Sequence, residues 1–386
     1  MKVKKIRISH IITRLDLGGA QKNTLDIVTL LDRSRYVIYF VSSDKGLLAK
    51  DVTDIPGIKT VFMPCLKHPI SPFADLLALC KLILLFKKEN IDLVHTHSSK
   101  AGILGRWGAK LAGVPLIVHT IHGWSFHNRL NFLTEFFYSF LERITAKFTN
   151  KLIAVSASDI QKGLDNRIAS KDKYALIRYG IKKEQFLNCR IDINKKKREI
   201  GLDIDSPIVG MVACLKPQKS PQDFIKAASL VKRSNPRVQF LLVGDGILRK
   251  RAECLVNKLN LREDFILTGW RRDIPEIMSC LDILVLSSLW EGQPLVFLEA
   301  MYSRLPIVAY NVDGAKEVVK DGINGFLVAP GDFSGLASRV NDLLKNRRLL
   351  KEMGENGFNL AMNNGYHIER MAADLDKLYC NLDRLN

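Results

Sequence analysis

Short apolar runs alternate along the chain with longer segments whose apolar positions recur every three to four residues, the pattern of strands interleaved with amphipathic helices. Strand-like runs fall at 6–12, 36–42, 92–96, 116–120 and 152–156, and again at 208–213, 239–243, 265–268, 283–287 and 307–310. The alternation predicts an α/β fold with two parallel, helix-covered sheets. Between the two sets, 182–205 breaks the rhythm with the charged run Lys195-Lys196-Lys197-Arg198. The expected organisation is an N-terminal Rossmann-like domain over 1–181, a linker over 182–205 and a second Rossmann-like domain over 206–365. A C-terminal helix over 366–386 then packs back on the first domain.

The longest apolar run, 76–86, contains Lys81 and is too short to span a bilayer, so it reads as a buried helix. At 386 residues the chain exceeds what one core usually organises, in agreement with two domains. Its first residues are charged but lack the apolar stretch and cleavage site of a secretion signal, which points to the cytoplasm. Seven cysteines are scattered without close pairs, as expected of free thiols rather than of a metal or disulfide framework. Charge is uneven: residues 1–180 carry 27 Lys and Arg against 14 Asp and Glu, the remainder 31 against 26. So basic an N-terminal half suits an anionic partner, a nucleic acid or an acidic lipid surface, and a merely solvated surface is the alternative.

Open parallel sheets bind ligands beyond the carboxyl ends of their strands, so the residues just after each strand carry the chemistry. After the first strand, Gly18-Gly19 opens a helix whose free amides favour an anion, although a ligand-free tight turn uses glycines equally well. His95 and His97 end one strand, and His119 and His122 end the next. No carboxylate or cysteine stands at ligand spacing, so hydrogen bonding to a polar ligand is expected rather than a metal. His122 is the best placed, because Gly123 lets a substrate approach the backbone. In the second half, Lys216 and Lys219 follow the strand at 208–213, where point charges suit a diphosphate. Gly244-Asp245-Gly246 makes the next strand-to-helix turn. Glu291 then precedes a glycine-containing turn, while Glu299 lies eight residues on inside an apolar helix, where an unpaired carboxylate is costly. A salt bridge explains Glu299 alone, whereas a ligand with paired hydroxyls explains both acids.

With these residues in view, the chain resembles glycosyltransferase family 4 over nearly its whole length. The strongest marker is the E-x7-E pattern at Glu291 and Glu299 within Glu-Gly-Gln-Pro-Leu-Val-Phe-Leu-Glu, followed by Gly314, Glu317 and Asn324-Gly325. The resemblance implies the GT-B architecture, two facing Rossmann-like domains with parallel sheets and an inter-domain cleft. It also implies a retaining glycosyltransferase of hexosyltransferase type that takes a sugar from a nucleotide-diphosphate sugar, UDP favoured. Glu291 is then expected to meet the donor sugar, Glu299 the nucleotide ribose, and Lys219 with the amides after Gly292 the diphosphate. His122 reaches the donor sugar from the other domain. The implied catalytic set is His122, Lys219 and Glu291. Gly18, Gly19, Lys216, Gly244, Gln293, Pro294 and Leu295 complete the donor-binding set. The family usually has arginine where this chain has Cys214, and often aspartate where it has Lys182.

No cofactor and no metal are expected, since cations and helix termini can stabilise the departing diphosphate. No acid stands where it could attack the sugar, which favours front-face substitution, the leaving phosphate oxygen taking the acceptor proton. The aromatic-rich segment 132–144 reads either as a core helix or as one lying in a membrane interface. With the basic first half it points to a glycan or polyprenyl-diphosphate-sugar acceptor in cell-surface polysaccharide biosynthesis. The enzyme is then expected to be peripheral on the anionic inner face of the cell membrane, with acceptor-binding residues unassigned. A nucleotide-sugar epimerase of the same fold is the alternative within the class, and the E-x7-E pattern argues against it. A basic nucleic-acid-binding protein is the alternative outside it, but no recognised reading module is present, so no nucleic-acid partner is expected.

Overall fold

The computed structural model describes residues 5–67, 69–126 and 131–383. Two units divide the chain, 1–179 with 368–386 and 180–367. The first contains β1 (Ile6–Ile11), β2 (Tyr36–Ser42), β3 (Ile58–Phe62), β4 (Leu93–His97), β5 (Leu116–Ile121), β6 (Lys151–Ala154) and β7 (Tyr174–Leu176). Helices α1 (Gly19–Leu30), α2 (Ala49–Thr53), α3 (Pro72–Lys88), α4 (Ser99–Ala112), α5 (Phe132–Ala146) and α6 (Ala157–Asp165) connect them. The sheet is wholly parallel in the order β3-β2-β1-β4-β5-β6-β7. Its two edge strands, β3 and β7, were not among the apolar runs, because an edge strand buries one flank only and β7 is three residues long.

The second unit begins with α7 (Glu184–Leu187) and α8 (Ile193–Ile200). It continues through β8 (Ile208–Val212), α9 (Pro221–Ser234), β9 (Gln239–Val243), α10 (Arg249–Lys258), β10 (Phe265–Gly269), α11 (Ile274–Ser279), β11 (Ile283–Leu286) and α12 (Leu295–Tyr302). It ends with β12 (Ile307–Tyr310), α13 (Ala315–Val318), β13 (Gly325–Val328), α14 (Phe333–Lys345) and α15 (Arg347–Asn364). Its parallel strands run β10-β9-β8-β11-β12-β13. The segment 182–205 is therefore partly helical and docked within this unit. Lys196 meets Asp273 and Glu276, each at 2.6 Å, and the Lys197 ammonium donates to the carbonyls of Ile204 and Ser206.

Helix α16 (Ile368–Asp383) returns to the first unit. Asp376 accepts from Arg35 and from the Tyr36 hydroxyl, and Tyr379 is buried beside His95. Strand order reverses between β1 and β4 in one unit and between β8 and β11 in the other, and these switch points are where a parallel sheet opens a crevice. At each of them a serine with positive φ precedes a helix, Ser98 (φ 61°, ψ 156°) before α4 and Ser220, left-handed at φ 42° and ψ 55°, before α9.

One expectation is corrected. The apolar run at 76–86 is not a buried helix: α3 buries Ala78, Leu82 and Phe86 but exposes Phe73 (91%), Leu76 (61%), Leu77 and Leu84. Only one of its faces meets α4, where Gly108 stands opposite Leu82. On α5, Phe132 (78%), Leu133 (75%), Phe136, Phe137 and Phe140 are exposed, so α5 is no core helix. Among the described residues no helix is long and apolar enough to cross a membrane.

Candidate active site

In the second unit the loops after β8 and β11 meet at the switch point. Beyond β8 the chain turns through Pro217–Lys219 into Ser220, and the Ser287 hydroxyl at the end of β11 donates to the carbonyls of Lys219 and Ser220 at 3.0 and 2.9 Å. The Leu289 amide donates to the Gln218 carbonyl, and the Gln218 amide to that of Trp290, both at 2.8 Å. So fastened, the loops bring Lys219 and Glu291 into a direct ion pair, both side chains largely buried. A buried pair with such geometry holds each charge in place for a ligand that can share it.

Helix α12 starts immediately beyond, with Pro294 as its N-cap residue. Every residue from Glu291 to Ala300 is buried. Because proline has no amide hydrogen, Gln293 and Leu295 rather than Pro294 supply backbone donors after Gly292. Glu299 lies one turn into this helix and is itself buried. Gly244, after β9, has φ 129°, and a Cβ there would stand 2.0 Å from the Ala213 carbonyl oxygen, so its side-chain-free backbone lets the β9 turn close on the β8 loop. Lys216 is exposed at the start of the turn, and Cys214 is half-buried.

The first unit presents a different picture. Registers pair His10 of β1 with His95 of β4, and His97 with Thr120 of β5. Side chains two apart on a strand share a face, so His10, His95 and His97 cluster inside, with one ring nitrogen each within 4.8 Å of one another. His95 bonds the Tyr379 hydroxyl at 2.5 Å and that of Thr120 at 2.7 Å. His97 bonds His10 at 3.1 Å and His122 at 3.0 Å, and His122 also meets the Tyr179 hydroxyl. Burial drives the pKa of His10 and of His122 down to about 3 and those of His95, His97 and His119 well below the usual imidazole value, so all five are neutral near pH 7. The histidines bond to one another and to the hydroxyls of Tyr379, Thr120, Thr96 and Tyr179. Gly18 caps α1 and Gly19 begins it, with no side-chain cap on the first turn.

Two family descriptions match, "Glycosyltransferase Family 4" over residues 17–185 and "Glycosyl transferases group 1" over residues 192–360. An Escherichia coli protein described as UDP-Gal:alpha-D-GlcNAc-diphosphoundecaprenol alpha-1,3-galactosyltransferase is 34% identical over 383 residues, covering 98% of this chain and 97% of its own length. The chain belongs to glycosyltransferase family 4. A Campylobacter jejuni relative, described as an alpha-1,4-N-acetyl-D-galactosaminyltransferase acting on a diNAcBac-PP-undecaprenol-linked acceptor, is 26% identical, covering 91% of this chain and 92% of its own. The solved structure of Anabaena HepE with UDP-glucose superposes with a TM-score of 0.83 at 21% identity, over 97% of this chain and 100% of that one, the GT-B fold.

As a family 4 glycosyltransferase, the chain has its E-x7-E acids where the fold concentrates ligand chemistry, at the β8/β11 switch point. Two further polar groups of that site were not singled out in the sequence. Ser287 ties the loops together, and the Ser288 hydroxyl is buried with no hydrogen-bond partner among the described residues. Their signal was position, a serine pair directly after the strand that borders the reversal.

Proposed function

We propose that this glycosyltransferase transfers a sugar from a UDP-sugar to a polyprenyl-diphosphate-linked sugar in the assembly of a cell-surface polysaccharide. The observation that carries the reading is the buried Lys219–Glu291 pair beside the start of α12. The descriptions of the Escherichia coli and Campylobacter jejuni relatives, and the UDP-glucose in HepE, support UDP-sugar and lipid-linked sugar as the two substrates. In the proposed reaction the bond from the anomeric carbon to the β-phosphate oxygen breaks and the acceptor oxygen bonds that carbon. The acceptor proton goes to the departing phosphate, and UDP leaves with stereochemistry retained. Lys219 and the amides of Gln293 and Leu295 face the charge that grows on the diphosphate, Glu291 holds the sugar, and Glu299 binds the ribose hydroxyls. Incubation with a panel of UDP- and GDP-sugars and a polyprenyl-diphosphate-sugar acceptor, with product read by mass spectrometry, tests this. No transfer from any donor would overturn it.

Glu299→Ala is expected to weaken UDP-sugar binding by roughly tenfold or more, since hydrogen bonds to a charged group contribute about 1.5–3 kcal/mol each. Unchanged affinity in calorimetry removes Glu299 from the ribose. Turnover is expected to survive EDTA, because lysine and helix amides neutralise the diphosphate; loss of turnover restored by magnesium or manganese contradicts this.

A lipid-linked acceptor calls for an enzyme that works at a membrane, and the exposed faces of α3 and α5 fit one. Both flank α4, through Gly108 against Leu82 on one side and the 2.7 Å Arg106–Glu142 pair on the other. The exposed charges on these helices and at their caps are Lys81, Lys87, Lys88, Lys110 and Lys147, and the acids Asp75, Glu89 and Glu135 are partly exposed. An apolar face rimmed mainly by lysine suits the anionic inner leaflet of the cell membrane, with the protein peripheral and cytoplasmic and no nucleic-acid partner. Co-sedimentation with phosphatidylglycerol vesicles should be strong, with neutral vesicles weak, and lost in Phe136→Ser/Phe73→Ser. Equal binding of the double variant would remove this face from the membrane.

A further inference from the structure

The two units repeat one construction. Their strand orders match, β3-β2-β1-β4-β5-β6 against β10-β9-β8-β11-β12-β13, with β7 added at one edge of the first. Beyond β1 and β2 the Leu15 amide donates to the Lys45 carbonyl and the Leu48 amide to the Leu15 carbonyl, at 3.2 and 2.9 Å. Beyond β8 and β9 the Leu215 amide donates to the Asp245 carbonyl and the Leu248 amide to the Leu215 carbonyl, at 2.9 and 3.0 Å. Gly46 (φ 122°) and Gly246 (φ 155°) permit this clasp, because a Cβ there would stand 2.2 and 2.6 Å from the carbonyl oxygens of Leu15 and Leu215. Leu48 and Leu248 then cap α2 and α10 with the same dihedral angles, φ −97° and ψ 4° against φ −95° and ψ 4°.

The likeness extends to the switch points. A serine pair follows the strand beyond each reversal, Ser98-Ser99 after β4 and Ser287-Ser288 after β11. Its first member fastens that strand's loop to the loop after the central strand: Ser98 shares a 2.8 Å hydrogen bond with the Thr13 hydroxyl, as Ser287 holds the carbonyls of Lys219 and Ser220. Loop 13–16 of the first unit is thus the counterpart of loop 213–216, which leads into Lys219 in the second. The clasp fixes the register. Arg14 follows buried Thr13 and precedes buried Leu15, as Cys214 follows buried Ala213 and precedes buried Leu215. Arg14 meets Asp16 at 2.7 Å in a pair open to solvent, which contributes little and yields readily to a stronger anion. What the first unit lacks is the acids: neither Ser98 nor any residue of α4, the counterpart of α12, is Asp or Glu, so nothing there corresponds to Glu291 or Glu299.

We propose that loop 13–16, at the switch point of the first unit, is an anion site built on the plan of the donor loop, with Arg14 as its cation and the diphosphate of the lipid-linked acceptor as its ligand. A nucleotide sugar held as in the second unit needs both acids, whereas a diphosphate without a nucleoside needs the cation alone. The planar fork of arginine bonds two phosphate oxygens at once, and a diphosphate offers them on adjacent phosphoryl groups. The same unit carries α3 and α5, so a lipid anchored at their apolar faces has its diphosphate recognised by the unit that holds it. The identity of the ligand rests on the function proposed above; the repeated construction does not.

Farnesyl diphosphate, which has the diphosphate and a short polyprenyl tail without the sugar, probes the site in the full chain while saturating UDP fills the second unit. Calorimetry should show binding to the wild type, binding about tenfold weaker or more in Arg14→Ala, an intermediate affinity in Arg14→Lys, and no comparable binding of farnesol. Arg14 is exposed, so its variants should unfold at the wild-type temperature. In the transfer assay Arg14→Ala should raise acceptor KM about tenfold while donor KM stays within about twofold. Gly46→Ala, which forces the clasp open, should do the same, whereas Gly246→Ala should raise donor KM. Unchanged affinity for farnesyl diphosphate in Arg14→Ala, equal affinity of the wild type for farnesol, or a rise in donor KM matching that in acceptor KM would overturn the site. If Gly46→Ala fails to fold, the Arg14 variants decide on their own. A wild type that transfers no sugar counts against the proposed reaction, and an active one whose Arg14→Ala variant keeps its acceptor KM counts against the site.

Discussion

Lys219→Ala is expected to lower kcat by about a hundredfold or more while donor KM moves by no more than a few-fold. Charge on the diphosphate grows as the sugar departs, so an ammonium aimed at it acts mainly on the transition state. The ion pair with Glu291 adds a second consequence. Removing the ammonium leaves a buried carboxylate uncompensated, a loss of about 3–5 kcal/mol in stability. Thermal unfolding separates the two effects: Lys219→Met/Glu291→Gln, which removes both charges, should recover much of the stability but none of the turnover. A fall in kcat below tenfold, with KM rising instead, would assign Lys219 to ground-state binding. Lys216 is exposed and Cys214 stands where the family usually has arginine. A loss in Lys216→Ala approaching that of Lys219→Ala, partly rescued by Cys214→Arg, identifies Lys216 as the substitute; kcat within about threefold of wild type assigns it to solvent.

This half of the site was legible because its chemistry is local in sequence. The strand at 283–286, the turn at Gly292 and the helix holding Glu299 follow one another within twenty residues, so spacing alone puts both acids near one strand end. What spacing could not supply is the partner of Glu291: Lys219 is 72 residues away and reaches it only because β8 and β11 are neighbours at the reversal of strand order.

In the first unit the same logic reached less far. His95 and His97 were visible at a strand end, but His10, next to last in the apolar run of β1, joins them only through the β1–β4 register. Tyr379 arrives from α16, 284 residues from His95. The α3 face was hidden for another reason. Apolar residues on both sides of a helix give no stripe to read, and whether the second side is buried depends on neighbours that the local pattern does not contain.

The protein is expected to lose stability steeply as pH falls below about 6.5, in a range where carboxylates remain ionised. Five of the eight histidines, His10, His95, His97, His119 and His122, are buried and held neutral, chiefly by desolvation, with Arg33 near His10 and Arg106 near His119 acting in the same direction. Their folded pKa values lie below the unfolded value of 6.5, near 3 for His10 and His122. Between those limits the unfolded chain binds protons that the folded one refuses. Stability is therefore fully present above 6.5 and is lost as pH falls toward the folded values, by up to about 1.4 kcal/mol per pH unit for each histidine. From pH 7.5 to 5.5 each histidine that stays neutral contributes a loss of about 1.4 kcal/mol, so that all five together contribute about 7 kcal/mol, comparable with the whole stability of many domains. Urea midpoints for unfolding should drop sharply across that interval, and the drop should shrink by about one proton's share in His10→Gln, which removes one buried imidazole without emptying its place. A midpoint that stays level between pH 7.5 and 5.5 would mean that the buried rings find protons in the folded state, and the neutral histidine core would have to be abandoned.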